Sequence, residues 1–161
     1  MPRGTRLLID NACYHIYIRG NHKEAVFKEK QDYENYLLRL KKYKSRYGFL
    51  LYGYCLMPNH PHLVGEIKIS KDLSLFMHDI SRSYTTFFNT KYNKVGYLWQ
   101  GRFNSKVIAK DKYLLDCVNY VELNPVRAGL VNSPVEYPYS SYKERVFGVS
   151  AEDSILDRLV I

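Results

Sequence analysis

The chain has 161 residues, 46% of them hydrophobic, and a formal net charge of +8. This is the length of one domain with apolar content enough for its own core, which excludes a disordered segment. Its three cysteines, Cys13, Cys55 and Cys117, are odd in number and far apart, which argues against a disulfide framework or a C-x-x-C zinc site and fits a reducing compartment.

The apolar run Leu7-Leu8-Ile9 is too short for a secretory signal, and residues 49–57 are too few to span a bilayer. A soluble cytoplasmic protein is the expectation. The positive charge makes a polyanion a natural partner. Sixteen tyrosines against one tryptophan offer faces that can stack on unpaired bases, or serve as half-buried rims of helices and strands.

In chain order, residues 12–19 alternate and are rich in β-formers, so they predict a first strand ended by Gly20-Asn21. Residues 30–47 read as a helix. Tyr33, Tyr36, Leu37, Leu40, Tyr43 and Tyr47 make its apolar stripe, and Gly48 stops it. Residues 49–56 and 60–69 predict a hairpin across Met57-Pro58-Asn59. Residues 71–92 form a second long helix behind Ser70, burying Leu73, Phe76, Met77, Ile80, Tyr84, Phe87, Phe88 and Tyr92. Residues 97–109 read as a fourth strand weakened at Gly101. Residues 111–123 predict a helix with Leu114, Leu115, Val118 and Val121 facing inward. Gly129 ends a short extra turn, and Ser150-Ala151-Glu152-Asp153 resembles a capping box before a last short helix at 151–160. The order predicts an α+β fold of the ferredoxin-like split βαβ type. It has an antiparallel four-stranded sheet with helices on one face.

Two groups of residues carry chemistry. His60 and His62 are two apart in a strand, so both imidazoles project from one face and can share a divalent cation. Two surface histidines beside a turn would give the same string. Pro61 between them lacks an N–H, which predicts an edge position or an unpaired strand start. Tyr120 and Asn124 lie one helical turn apart, and Tyr120 falls off the apolar stripe. A phenol can attack a phosphodiester when a metal stabilises the developing charge. The Asn124 amide oxygen is a suitable hard ligand for Mg²⁺ or Mn²⁺. Asn124 also precedes Pro125, an ordinary cap and first-turn pair, and the two roles compete for one oxygen.

Together these strings resemble the HUH-type single-tyrosine transposases, most nearly the REP-associated tyrosine transposases. The resemblance rests on Tyr14-His15-Ile16 with Arg19-Gly20-Asn21, on Met57-Pro58-Asn59-His60-Pro61-His62, and on Leu98-Trp99-Gln100-Gly101-Arg102-Phe103. It also rests on residues 120–131, beginning Tyr120-Val121-Glu122-Leu123-Asn124-Pro125, and on Tyr139-Ser140-Ser141-Tyr142. It covers about residues 3–143. Two positions depart from the pattern: Pro61 stands where a bulky hydrophobe is usual, and Tyr139 where Trp is usual.

The resemblance implies one HUH-type domain over 1–161, with a core at about 12–131, a tail at 132–161 and a C-terminal catalytic helix. It implies Tyr120 as the nucleophile and a 5′-phosphotyrosine intermediate. His60, His62 and Asn124 would hold Mg²⁺ or Mn²⁺, and the substrate would be single-stranded DNA with hairpin-forming palindromic repeats. The tyrosine helix could serve its own subunit or a partner's in a homodimer. Basic residues suited to DNA phosphates are Arg3 and Arg6 in an N-terminal arm, Arg19, Arg102, Lys106, Lys110 and Lys112. Trp99 could stack on an extruded base or sit in the core. His15 reads as structural, and His22 and His78 as surface residues. The alternatives are a catalytically silent DNA-binding protein on the same fold and an RNA-binding module. The latter would need an RNP1-like string, which is lacking.

Overall fold

The computed structural model describes residues 6–160. The alternating first segment forms β1 (Ala12–Tyr17), and the tyrosine-striped segment forms α1 (Lys30–Tyr47). Gly48 ends α1 in the left-handed conformation, φ 67°. β2 (Leu50–Met57) and β3 (His60–Ile67) make the hairpin, and α2 (Ser70–Tyr92) follows. Then come β4 (Asn104–Ile108), α3 (Lys112–Glu122), the single turn α4 (Asn124–Arg127) and α5 (Tyr142–Phe147).

The sheet order is β2-β3-β1-β4, and every neighbouring pair is antiparallel. β1 and β2 therefore run the same way with β3 between them, which is the expected split βαβ arrangement. α1 and α2 bury one face of the sheet, closing over Tyr14, Ile16, Leu51, Leu56, Leu63 and Ile67. α3 covers the other face, packing Leu114, Val118 and Val121 on Tyr52, Cys55, Met57 and Val64. Leu115, expected to face inward, is 40% exposed.

Three expectations change. The fourth strand is shorter than 97–109, because residues 97–103 form a loop that makes one isolated bridge beyond the end of β1, Gly20 to Trp99. Trp99 is drawn beneath α2, where its indole N–H donates to Ser81 O at 3.2 Å, and Gly101 at φ 72° turns the chain. The helix at 151–160 does not form. Ser150 and Asp153 make only a turn, and the chain then runs extended along β2. There Asp157 accepts from Leu51 N–H at 2.8 Å while its own N–H donates to Leu51 O at 2.8 Å. An extended tail satisfies edge groups of β2 that a helix would leave bare. Finally, β3 is an inner strand, so of the two readings of Pro61 the edge position fails and the unpaired strand start holds. Leu56, opposite Pro61 on β2, donates its N–H outward to Tyr139 O at 2.8 Å, so this pair exchanges no ladder bond. On the other side β1 pairing stops at Tyr17 and His62. Pro61 thus sits where no N–H is required.

Two glycines set how closely the layers approach. A Cβ on Gly65 would meet Leu50 O at 2.3 Å and the Phe49 ring at 2.4 Å. A Cβ on Gly53 would meet Val118 Cγ1 of α3 at 2.9 Å. Gly65→Ala should destabilise by about 3 kcal/mol and Gly53→Ala by about 1–2 kcal/mol, since backbone yields less readily than a side chain. The urea midpoint checks this at constant slope. Equal, small effects would contradict the packing described.

Candidate active site

The α3-facing side of the sheet carries the two histidines. His60 pairs with Met57, and His62 lies between Cys55 of β2 and Tyr17 of β1. Their ring centroids are 4.6 Å apart at 74°, so the imidazoles sit side by side rather than diverging. Among the described residues, no group of three or more His, Cys, Asp and Glu side chains could hold a metal.

Both imidazoles are oriented through Nδ1. Asn59 donates from its amide nitrogen to Lys23 O at 3.3 Å, which turns its Oδ1 toward His60 Nδ1 at 2.5 Å. An amide oxygen can only accept, so His60 carries its proton on Nδ1 and keeps a lone pair on Nε2. His62 Nδ1 lies 2.9 Å from His15 Nε2, and the rings stack at 5.1 Å. When His62 is the donor, its Nε2 also has a free lone pair. A hydrogen bond to the second ring nitrogen is how metal-binding histidines are usually held. His15, read from sequence as structural, is thus part of the site. Its two-residue spacing from Tyr17 was visible, but only the strand register shows that this face meets His62.

Burial lowers the pKa of all three histidines. His62 falls furthest, to about 2, through desolvation and then the neighbouring His60, His15, Arg127 and Arg19. His60 is lowered by burial and by Arg19, and His15 by burial and by Lys106. The cations Arg19, Lys106 and Arg127 therefore surround neutral imidazoles. Two of them had been singled out in the sequence, while Arg127 lay unassigned inside the tyrosine string.

α3 and α4 bring the remaining groups. Asp111 caps α3 by accepting from Tyr113 N–H at 2.8 Å. Tyr120 on its outer side is 55% exposed. The Arg127 guanidinium lies 3.8 Å above the Tyr120 ring and donates to Tyr120 O. It also donates to Asn124 Oδ1 at 2.6 Å. Asn124 is the first residue of α4, with Leu123 at the cap position, and its oxygen accepts from Arg127. Its amide nitrogen is buried and has no hydrogen-bond partner. Turning the amide over would place the oxygen at that buried position. The orphaned Asn124 amide and the imidazole nitrogens of His60 and His62 are donor types that fit a hard cation completed by water or phosphate oxygens.

The α3–α4 junction is pinned from below. Glu122, 1% exposed, accepts from Ser141 Oγ at 2.7 Å, from Arg145 Nε at 3.0 Å and from Arg145 Nη2 at 2.6 Å. Ser141 Oγ also accepts from Tyr54 N–H of β2 at 2.9 Å. The segment Tyr139-Ser140-Ser141-Tyr142 is thereby a structural tie to the tyrosine helix, a function not read from its sequence.

The other basic residues divide. Arg6 is held against Phe103, donating to its carbonyl at 3.0 Å, so it is not a free arm. Arg3 lies outside the described residues. Arg6 and Arg102 line a groove of about 440 Å³ with Gln100 and Asn104. Lys110 is paired with Glu66 at 2.9 Å, and Lys112 is exposed beside Tyr113. Trp99 is buried to 8% exposure, although its edge lines an apolar groove of about 550 Å³.

Neutral histidines make stability depend on pH. The unfolded chain binds protons below the ordinary imidazole pKa of about 6.5, and the folded chain resists them. The stabilisation is complete above that value and is lost progressively as pH falls below it toward the depressed folded values. The urea midpoint should drop between about pH 7.5 and pH 5.5, and less so when His15, His60 and His62 are all changed to Gln. A wild-type midpoint that did not move would contradict the burial of neutral imidazoles.

Comparison with known proteins gives the family. The family model described as IS200-like transposase matches residues 9–124, which include His60, His62, Tyr120 and Asn124. A Haemophilus influenzae protein assigned to the REP-associated tyrosine transposases is 29% identical over 113 residues, 63% of this chain and 64% of the relative. The chain thus spans somewhat under two thirds of that relative's length. The Escherichia coli REP-associated tyrosine transposase is 21% identical over 132 residues, 81% of this chain and 75% of the relative. A REP-associated tyrosine transposase solved bound to a REP hairpin shares the fold, with a TM-score of 0.75 and 20% identity over 100% of both chains. No helix among the described residues is long and apolar enough to cross a membrane. The chain belongs to the IS200-like transposase family.

Proposed function

We propose that this chain cleaves and rejoins single-stranded DNA next to a hairpin, with Tyr120 as the nucleophile. The observation that supports this reading is that two neutral, oriented histidines stand on the sheet face packed by α3, the helix that carries Tyr120. Arg127, which touches both Tyr120 and Asn124, also lowers the His62 pKa, and so links the two halves electrostatically.

In the proposed reaction the Tyr120 oxygen attacks the scissile phosphorus and its proton passes to solvent. The bond from phosphorus to the 3′-oxygen breaks, and that oxygen leaves as a hydroxyl. The DNA 5′-phosphate stays on Tyr120 until another 3′-hydroxyl displaces it. His60 Nε2, His62 Nε2 and the Asn124 amide oxygen would hold Mg²⁺ or Mn²⁺. Such an ion supplies charge stabilisation at the phosphate. Arg19 and Lys106 supply positive potential for the backbone.

The relatives named for REP elements, and the one solved with a REP hairpin, support a palindromic hairpin as the partner. Because α3 packs on the sheet that carries its own chain's histidines, the reading is action in cis. This remains compatible with a homodimer.

Incubation with a hairpin-bearing single strand and Mn²⁺ should give a covalent protein–DNA adduct on a denaturing gel. Tyr120→Phe should abolish it, and His60→Ala or His62→Ala should lower its rate by at least about 100-fold, as loss of a metal site does. An adduct that persists in Tyr120→Phe would overturn the nucleophile. Tight hairpin binding without any adduct would favour the catalytically silent reading.

A further inference from the structure

Arg127 is exposed, yet it spends its donors locally. It bonds the Asn124 amide oxygen at 2.6 Å, bonds the Tyr120 carbonyl, and covers the Tyr120 ring at 3.8 Å. Meanwhile the Asn124 amide nitrogen is buried without a partner. A buried donor left unpaired is costly, and the Arg127 bond holds the amide in that orientation. With the amide turned over, its nitrogen would face a guanidinium that can only donate. The amide can turn only when Arg127 leaves.

We propose that Arg127 is a latch on the tyrosine segment, released by a DNA phosphate. In the free protein it occupies the Asn124 oxygen and shields Tyr120. A phosphodiester arriving at the site offers the guanidinium a charged acceptor, which outcompetes a neutral amide. The guanidinium moves to the phosphate, the amide oxygen is freed for the cation, and the Tyr120 ring is uncovered. Metal and DNA then bind cooperatively, and Arg127 acts as a positioning residue. The inference rests on the reading that Asn124 and the two histidines form the cation site.

The test measures Mn²⁺ affinity by calorimetry without DNA, so it does not depend on turnover. Arg127→Ala removes both the latch and a positive charge, and both should tighten Mn²⁺ binding. Comparing backgrounds separates them. With Asn124 present, Arg127→Ala should tighten binding about three- to tenfold more than it does in Asn124→Ala, the size of one charge-assisted hydrogen bond on a partly exposed site. Arg127→Lys, which keeps the charge but loses the fork, should gain less than Arg127→Ala. Equal gains in both backgrounds would overturn the latch and leave Arg127 as a remote charge. His60→Ala is the control for the underlying reading. If it leaves Mn²⁺ affinity unchanged, the cation is not at the histidines, and the proposed site fails along with the latch.

Discussion

The buried carboxylate of Glu122 is the contact on which the site depends. It lies between Tyr120 and Asn124 in sequence. Burying a carboxylate costs several kcal/mol unless its lone pairs are filled, and here Ser141 and Arg145 fill them. The return is geometric. Ser141 is bonded to the Tyr54 backbone of β2, so the junction of α3 and α4 is fixed to the strand beside the histidine strand. Apolar packing of Leu114, Val118 and Val121 brings the helix to the sheet, but packing alone leaves sliding and rotation soft. The ionic tie removes that freedom two residues from Tyr120.

The electrostatics of the site follow from the same layering. α3 buries the sheet face enough to keep imidazoles neutral, and the surrounding cations reinforce this. Neutral imidazoles are the form that binds metal. The surrounding positive charge opposes a bare divalent cation and favours one that arrives with phosphate. In the proposed reading such a site would be weakly loaded without DNA and more strongly loaded with it, and the Arg127 contact would add to that difference.

Most of the fold was legible because its periodicities are strong. The stripes of α1 and α2 and the hairpin over Pro58-Asn59 appear as expected, and the two-residue spacing of His60 and His62 does place them together. What was hidden depends on partners distant in sequence. The role of His15 needs the β1–β3 register. Glu122 reads as an ordinary helix residue until Ser141 and Arg145, 19 and 23 residues further on, close over it. The segment 97–103 has strand-like composition, but the burial of Trp99 under α2 overrides local preference. The tail looks capped for a helix, yet the unsatisfied edge of β2 recruits it as extended chain. Asn124 could not be decided between cap and ligand from sequence, and in the structure its oxygen accepts from Arg127.

The central claim is that one chain holds a complete site, with its own tyrosine helix over its own histidines. Mixing two inactive variants, His62→Ala and Tyr120→Phe, tests it directly with a hairpin-bearing single strand and Mn²⁺. Neither chain has both halves of the site, so the account predicts no covalent adduct from the mixture after subunits have had time to exchange. An adduct that appears on mixing, carried by the His62→Ala chain, would show the tyrosine acting at a partner's histidines and contradict the account.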